Sequence, residues 1–432
     1  MVKPQRRGYL RIAYVCADAG VPVRGDKGAA VHVRAMVDAL VGEGHDVVVV
    51  AAREGDGGNP LAAPVVEVRL PPPLLGIARD AKADGGPAGI EAARLLLNQA
   101  IEMELVRLHA ERPLDAIYER CSLWSYAGVA TGRRLGIPVL MEVNARLTDE
   151  QARYRSLALT GWADAIDRYV LAHATALLAV SAPLAADLIA AGTPADHVRV
   201  VPNGVDPARF HPRLDGGVAR AAWGIAAGEI VVGFVGSIKP WHGLDRLVAA
   251  LARLDDARLR LVVVGDGPER AACEAAALAL PGRAIFTGAV PHAAVPAAVA
   301  GFDIAVVPGA PGAGSYFSPL KAFEYAAAGR AIVAAAGGQV EALFPPHAIA
   351  LYPADAIGAL AERIGWLAGD PAARARLGAA AAETVLAGFT WHRNAERVVA
   401  LIREATAIAT SPRPKVDSIV VAERAPAPLA AR

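Results

Sequence analysis

Short apolar runs recur along the chain, each followed by a polar or glycine-bearing loop and then by the three-four spacing of an amphipathic helix. In the first half the runs are RIAYVC (11–16), DVVVVAA (46–52), VVEVRL (65–70), DAIYER (115–120), PVLMEV (138–143), ALLAVS (176–181) and VRVVPN (198–203). The pattern then repeats with IVVGFVG (230–236), LRLVVVG (259–265), AIFTG (284–288), IAVVP (304–308) and AIVAAA (331–336). Helical spacing lies between them, most clearly at 29–44 and 244–254. Apolar strands alternating with helices at this spacing predict parallel sheets covered on both faces. Two such series predict an α/β chain of two doubly wound, Rossmann-like domains facing a central cleft.

The segment 202–217, PNGVDPARFHPRLDGG, is rich in Pro, Gly and Asp and reads as the linker. We therefore expect a first domain over 1–205 and a second over 216–388. A helix over 389–405 is expected to cross back to the first domain. The Pro/Ala-rich residues 411–432 are expected to be a disordered tail.

One stretch carries an unusual local signal. SYFSPLKAFEYAAAG, Ser315 to Gly329, follows a buried-strand pattern and starts a helix with Ser318 as cap, Pro319 as first residue and Gly329 as stop. Leu320, Phe323 and Ala327 share a face that can pack on a sheet. A helix beginning at a strand's C-terminal end turns free N–H groups outward, where an anion could sit.

Composition narrows the classes. The 432 residues are 54% apolar and 20% charged, which suits large cores and argues against disorder. A net charge of +1 removes the basic field of a general nucleic-acid binder. Cys16, Cys121 and Cys273 match no metal-ligand or disulfide spacing and read as buried small hydrophobes in a reducing compartment. The N-terminal apolar run is broken by Arg11 and Asp18, so it does not read as a signal peptide. The most membrane-like run, 169–192, contains His173, Ser181, Pro183 and Asp187, and its middle reads as a short buried strand rather than a span. A cytoplasmic protein is expected.

In open parallel sheets ligands bind beyond the C-terminal strand ends. The first such loop brings Arg24, Gly25, Lys27 and Gly28 to a helix start, a combination that suits phosphate. It lacks the GxGxxG spacing; GDGPER (265–270) lacks the third glycine, and no Walker lysine motif occurs. In the second half, Gly236, Ser237, Lys239, His242 and Gly243 follow a strand, and Lys239 can reach a phosphate between the lobes.

Together KGAAVHVRAM, VSAPLAADLIAAGTPADHVRVVPNGVDPARF, VGSIKPWHGLDRLVAAL, LVVVGDGPE, FTGAV and SPLKAFEYAAAGRAIVA resemble the family 4 retaining glycosyltransferases of the GT-B fold, from about residue 10 to 405. Within that family they look like a subgroup with an SPLKxFEY-type donor motif. The resemblance implies a nucleoside-diphosphate sugar bound mainly by the second domain and an acceptor bound mainly by the first. It implies that Glu324 accepts hydrogen bonds from the ribose hydroxyls. The chain departs from the family pattern in three places. Tyr316 stands where a second glutamate is usual, Ser237 where an arginine is usual, and His242 where a lysine is usual. Lys239 and Arg24 are the expected replacement cations. Many members carry a histidine at the end of the DAIYER strand. Here Glu119, Arg120 and Asn144 are the polar candidates beside the reacting sugar.

The expected catalytic set is therefore Lys239, Glu119, Arg120 and Asn144. The expected donor set is Arg24, Lys27, Gly28, Gly236, Ser237, His242, Gly265, Val290, Tyr316, Phe317, Ser318, Leu320 and Glu324. Glu142 and Trp162 are expected at the acceptor. The implied reaction is metal-independent and cofactor-free transfer of a hexose-like sugar with retention. The acceptor hydroxyl would be carbohydrate, lipid-linked or on a small molecule, with peripheral membrane contact in the lipid-linked case. Rival readings are a sugar-nucleotide epimerase or phosphorylase on the same fold and a non-catalytic nucleotide-sugar-binding protein.

Overall fold

The computed structural model describes residues 8–56, 58–154, 156–309, 318 and 320–410. Tyr316, Phe317 and the expected tail 411–432 lie outside the described residues. The first sheet contains β1 (Arg11–Cys16), β2 (Asp46–Ala51), β3 (Val65–Glu67), β4 (Ala116–Arg120), β5 (Val139–Val143), β6 (Ala176–Ala179) and β7 (Val198–Val200). Their order is β3-β2-β1-β4-β5-β6-β7. The second contains β8 (Ile230–Val235), β9 (Leu259–Val264), β10 (Ala284–Gly288), β11 (Ile304–Val307), β12 (Ala331–Ala335) and β13 (Ala350–Tyr352), in the order β10-β9-β8-β11-β12-β13. The paired strands run parallel. Strand order reverses beside β1 and again beside β8, and such reversals open a crevice at the strand ends.

The strands are buried on both faces because helices cover both, which is why they read as continuous apolar runs. β13 was not anticipated, since its three residues, Ala350 to Tyr352, are too short to stand out as a run. VRVVPN leaves the sheet after Val200. The membrane-like run divides into the end of the helix Thr160–His173, β6 and the helix Ala182–Ala190. Among the described residues, no helix is long and apolar enough to cross a membrane.

The last helix, Trp391–Thr410, packs on the first sheet's side. Trp391, Ala395, Val398, Val399 and Ile402 share one core with Ile12, Tyr14, Val33 and Val37. The crossing is fixed where the linker meets the start of this helix. Val205 N–H donates to Phe389 O (2.9 Å), Trp391 N–H donates to Val205 O (3.2 Å), and Asn394 Nδ2 donates to Pro202 O (2.7 Å). Gly204 is required there, because a side chain would collide with the Thr390–Trp391 backbone.

Ile402 is fully buried in this core. Ile402→Ala should cost about 2–5 kcal/mol, read as an earlier denaturant transition of the first lobe. An unchanged transition would mean that the helix contributes nothing to that core.

Candidate active site

Both sheets send their strand ends into one cleft of about 1380 Å³. The second-lobe wall is built from three loops. After β8, Gly236 has φ +134° and Gly265, after β9, has φ +141°, conformations that favour glycine. A side chain on Gly265 would strike the Gly236 carbonyl, so the two loops approach backbone to backbone. Ser237, Lys239 and His242 follow Gly236 along the cleft.

The third element is the helix Leu320–Ala327, ended by Gly329 at φ +69°. Tyr325 pins it to β8: its buried hydroxyl accepts from Val235 N–H at 2.7 Å. Leu320, Lys321 and Glu324 line the cleft. Glu324 faces His292, with Nε2 to Oε1 at 4.0 Å. Arg209 of the linker lies 2.9 Å from His292 Nδ1. Arginine can only donate, so Nδ1 accepts and the neutral ring carries its proton on Nε2, toward Glu324.

Lys321 stands three residues before Glu324 on the same helix but makes no ion pair with it. Its ammonium lies 4.2 Å from the centre of the Phe234 ring and 3.4 Å from His242 Nε2. His242 Nδ1 donates to Ser237 O at 2.7 Å, which leaves Nε2 as an acceptor. Burial, with the nearby Lys321, lowers the His242 pKa to about 3. Burial lowers the Lys321 pKa to about 7, only partly countered by Glu324.

On the opposite wall, Lys27 and Gly28 begin the helix Gly28–Gly42 and line the cleft. A Cβ on Gly28 would sit 3.8 Å from Leu320 Cδ1, so the two lobes meet there. Ser318 makes a second bridge, its Oγ accepting from Asn203 N–H at 3.2 Å and its carbonyl from Asn203 Nδ2 at 2.6 Å. Gly265, Val290 and Ser318 also line the cleft.

Arg24 does not line the cleft. Its Nε donates to Glu54 (2.7 Å) and its Nη1 to Asn59 O (3.0 Å), which turns the guanidinium toward its own loop. The expected Arg24 phosphate contact is therefore replaced by a loop-anchoring role.

The four polar strand-end candidates, Glu119, Arg120, Glu142 and Asn144, also separate. Arg120 and Asn144 line the cleft, but Glu142 lies beneath them at 2% exposure. It accepts from Arg120 Nη1 (2.5 Å), Asn144 Nδ2 (2.6 Å) and Tyr118 Oη (2.7 Å), and it faces His32 Nε2 at 2.8 Å. Burial alone would raise its pKa, but His32, Arg120 and Asn144 outweigh burial and hold it well below the usual range. Glu142 thus orients Arg120 and Asn144 rather than touching an acceptor. His32, which lines the cleft one turn into its helix, was not singled out from sequence, although its spacing from Gly28 puts it on the inward face.

Glu119 alternates to the other face of β4 and is fully buried. Ser125 Oγ donates to it at 2.5 Å and Gly128 packs against it so closely that a side chain there would collide with its carboxyl. It does not line the cleft, so a direct catalytic contact is not supported. Trp162 is 64% exposed on the helix Thr160–His173 and also lies outside the cleft. Arg94 and Gln151, from the helices Gly86–Leu95 and Leu147–Tyr154, line the first-lobe side of the cleft, whereas Asn98 is buried and its amide is taken by Leu95 O, Trp124 O, Tyr126 N–H and Ala127 N–H. Among the described residues, no group of three or more His, Cys, Asp or Glu could hold a metal ion.

Comparison with known proteins agrees with this arrangement. The glycosyl transferase 4-like domain matches residues 27–204, and the glycosyl transferases group 1 domain matches residues 229–370. A D-inositol 3-phosphate glycosyltransferase of Kribbella flavida is 30% identical over 68% of this chain and 72% of its own length. A 2-deoxystreptamine glucosyltransferase of Streptomyces kanamyceticus is 31% identical over 48% of this chain and 56% of its own. The chain spans about half the length of several curated relatives it matches. The fold matches that of the Anabaena protein HepE, solved in complex with UDP-glucose, with a TM-score of 0.69 at 18% identity, covering 92% of this chain and 100% of that one.

The buried carboxyl of Glu119 predicts a pH signature. Burial raises its pKa to about 7 from an ordinary value of 4.5, against the lowering effects of Ser125 and Gly128. The native state therefore holds a proton that the unfolded chain has released. Its contribution to stability is full below about 4.5 and is lost as pH rises through about 7. Glu119→Gln should flatten this slope and leave the protein relatively more stable at pH 8. An unchanged pH–stability curve by denaturant titration would show that Glu119 ionises freely in the fold.

Proposed function

The chain belongs to the group 1 glycosyl transferase family of GT-B fold, and from that premise we propose that it moves a sugar from a nucleoside-diphosphate donor to an acceptor hydroxyl, with retention and without a metal. One observation carries the reading: Glu324 and Lys239 line the same wall of one interlobe cleft, beside the start of the helix Leu320–Ala327. The two oxygens of Glu324 suit a vicinal diol such as ribose. Lys239 and the N–H groups at the helix start suit the diphosphate. Placed together, they match a ligand with a ribose at one end and anionic charge at the other.

The donor's anomeric carbon would then project toward Arg120 and Asn144 across the cleft. In the proposed step the bond from the anomeric carbon to the phosphate oxygen breaks as the acceptor oxygen attacks from the same face. The acceptor proton passes to the departing phosphate oxygen. The leaving diphosphate gains negative charge, and a cation held near it lowers the barrier; loss of one such donor typically costs about 2.7–4 kcal/mol. Neither Glu119, buried in the core, nor Glu142, saturated by its four partners, is free to act as a covalent nucleophile.

We read the acceptor as a polyol or carbohydrate, supported by the neutral hydrogen-bonding side chains of Asn144 and Gln151 on its wall. Relatives named for transfer to inositol phosphate and deoxystreptamine support the same class. A lipid-linked acceptor would require a membrane contact, and vesicle sedimentation would test it.

Glu324→Ala should weaken nucleotide binding, measured by calorimetry with UDP, GDP and ADP, and sharply reduce transfer. Unchanged affinity and rate would remove the ribose assignment. Lys239→Ala should lower kcat more than it weakens nucleoside binding, because the diphosphate gains charge at the transition state. A normal kcat in that variant would make Lys239 an ordinary loop residue.

A further inference from the structure

Lys321 is placed unlike the other cations of the cleft. Its ammonium is wedged between the Phe234 ring, His242 Nε2 and the Gly236 backbone, with Gly236 so placed that a Cβ there would lie 3.4 Å from Lys321 Nζ. Among the described residues, no carboxylate lies within the 4.0 Å of an ion pair. Glu324, one turn along the same helix, is directed to His292 instead. His242 faces Lys321 from the loop after β8 and supplies no negative charge, while Lys239 of the same loop lies 5.9 Å from the Trp241 ring centre. Asp266, after β9, lines the same cleft but is taken by Gly267 N–H (2.7 Å) and Arg270 (3.2 Å).

Lys321 therefore stands at the cleft wall with an aromatic face and a neutral imidazole as its partners. His242 cannot share a second proton without opposing the ammonium, because its Nδ1–H is already committed to Ser237. The arrangement is stable for an amine and incomplete for an ammonium.

We propose that Lys321 joins Lys239 as a further second-lobe cation that meets the donor's diphosphate, and that it takes up a proton when that anion arrives. The inference rests on the nucleoside-diphosphate reading above. An anion within hydrogen-bond reach supplies the negative charge that the residues around Lys321 do not, and favours the protonated amine. His242 accepts one ammonium hydrogen, which leaves the other two for phosphate oxygens. The proton comes from solvent, and no bond other than N–H forms. Burial, only partly countered by Glu324, brings Lys321 to about 7.

The test is calorimetry of UDP-glucose, GDP-mannose and ADP-glucose at pH 8, in buffers of different ionisation enthalpy. The phosphates of these nucleotide sugars do not titrate at that pH, so protons exchanged belong to the protein. Binding should take up close to one proton per nucleotide. Lys321→Met should abolish the uptake and weaken binding roughly ten- to hundredfold, the range of a hydrogen bond to a charged group. Lys321→Arg, whose charge is permanent, should retain much of the affinity with no uptake. Binding to the unaltered protein without uptake overturns this inference alone, as does uptake that persists in Lys321→Arg. Failure of all three nucleotide sugars to bind overturns the donor reading and this inference with it.

Discussion

Every strand of each sheet ends on the same edge, and the rest of the molecule follows from that constraint. Parallel pairing makes the chain return over the sheet through a helix, so each strand end begins a loop that a helix must follow. Where strand order reverses, neighbouring loops part and leave a crevice. Placing β1 and β4 opposite β8 and β11 sets two crevices face to face. Lys27, Arg120, Lys239, Lys321 and Glu324 come from regions far apart in sequence, yet all line the cleft because each follows or adjoins a strand end. The linker contacts of Asn203 and the return of the last helix hold the two edges against each other.

The periodicity of apolar residues made nearly all of the architecture readable, because buried parallel strands have little alternative to continuous Val/Ile/Leu/Ala runs. What it could not supply was direction around a strand end. Arg24 and Lys27 looked equivalent as loop cations, but Glu54 claims the first. Its partner is an acid on the next strand's loop that no local pattern links to it. Glu119 and Glu142 both sit near strand ends, yet the pleat of β4 sends Glu119 into the core, while Glu142 passes beneath the cleft into a ring of donors. Lys321 was hidden for a different reason. Three residues from Glu324, it invited a helical ion pair worth a few tenths of a kcal/mol, about 0.2–0.5. The aromatic ring and histidine that compete for it lie on β8 and its loop.

These outcomes divide charge unevenly across the cleft. On the first-lobe wall the Arg120 guanidinium is offset by Glu142 at 2.5 Å, and burial, which would lower its pKa, is outweighed by that carboxylate. Asn144 is held by the same group. This wall presents fixed hydrogen-bonding geometry with little net charge of its own. A fully buried carboxylate with several donors is costly to assemble and costly to disturb, so it rigidifies the surface above it.

The second-lobe wall is the reverse. Lys239 and Lys321 approach it with no carboxylate in an ion pair among the described residues, and the backbone N–H groups of a helix start add positive potential. Around these two amines the wall lacks a paired anion, although Glu324 and Asp266 stand elsewhere on it, and in a cleft with restricted water the attraction of an arriving anion is stronger than at an open surface. A neutral acceptor gains little from that field and much from the fixed donors opposite. A donor with a charged diphosphate gains most from the second lobe and would leave its sugar pointing at the first. On the proposed reading, the fixed donors of the first wall suit the acceptor and the amines of the second suit the diphosphate, which would put the reacting carbon in the space between them.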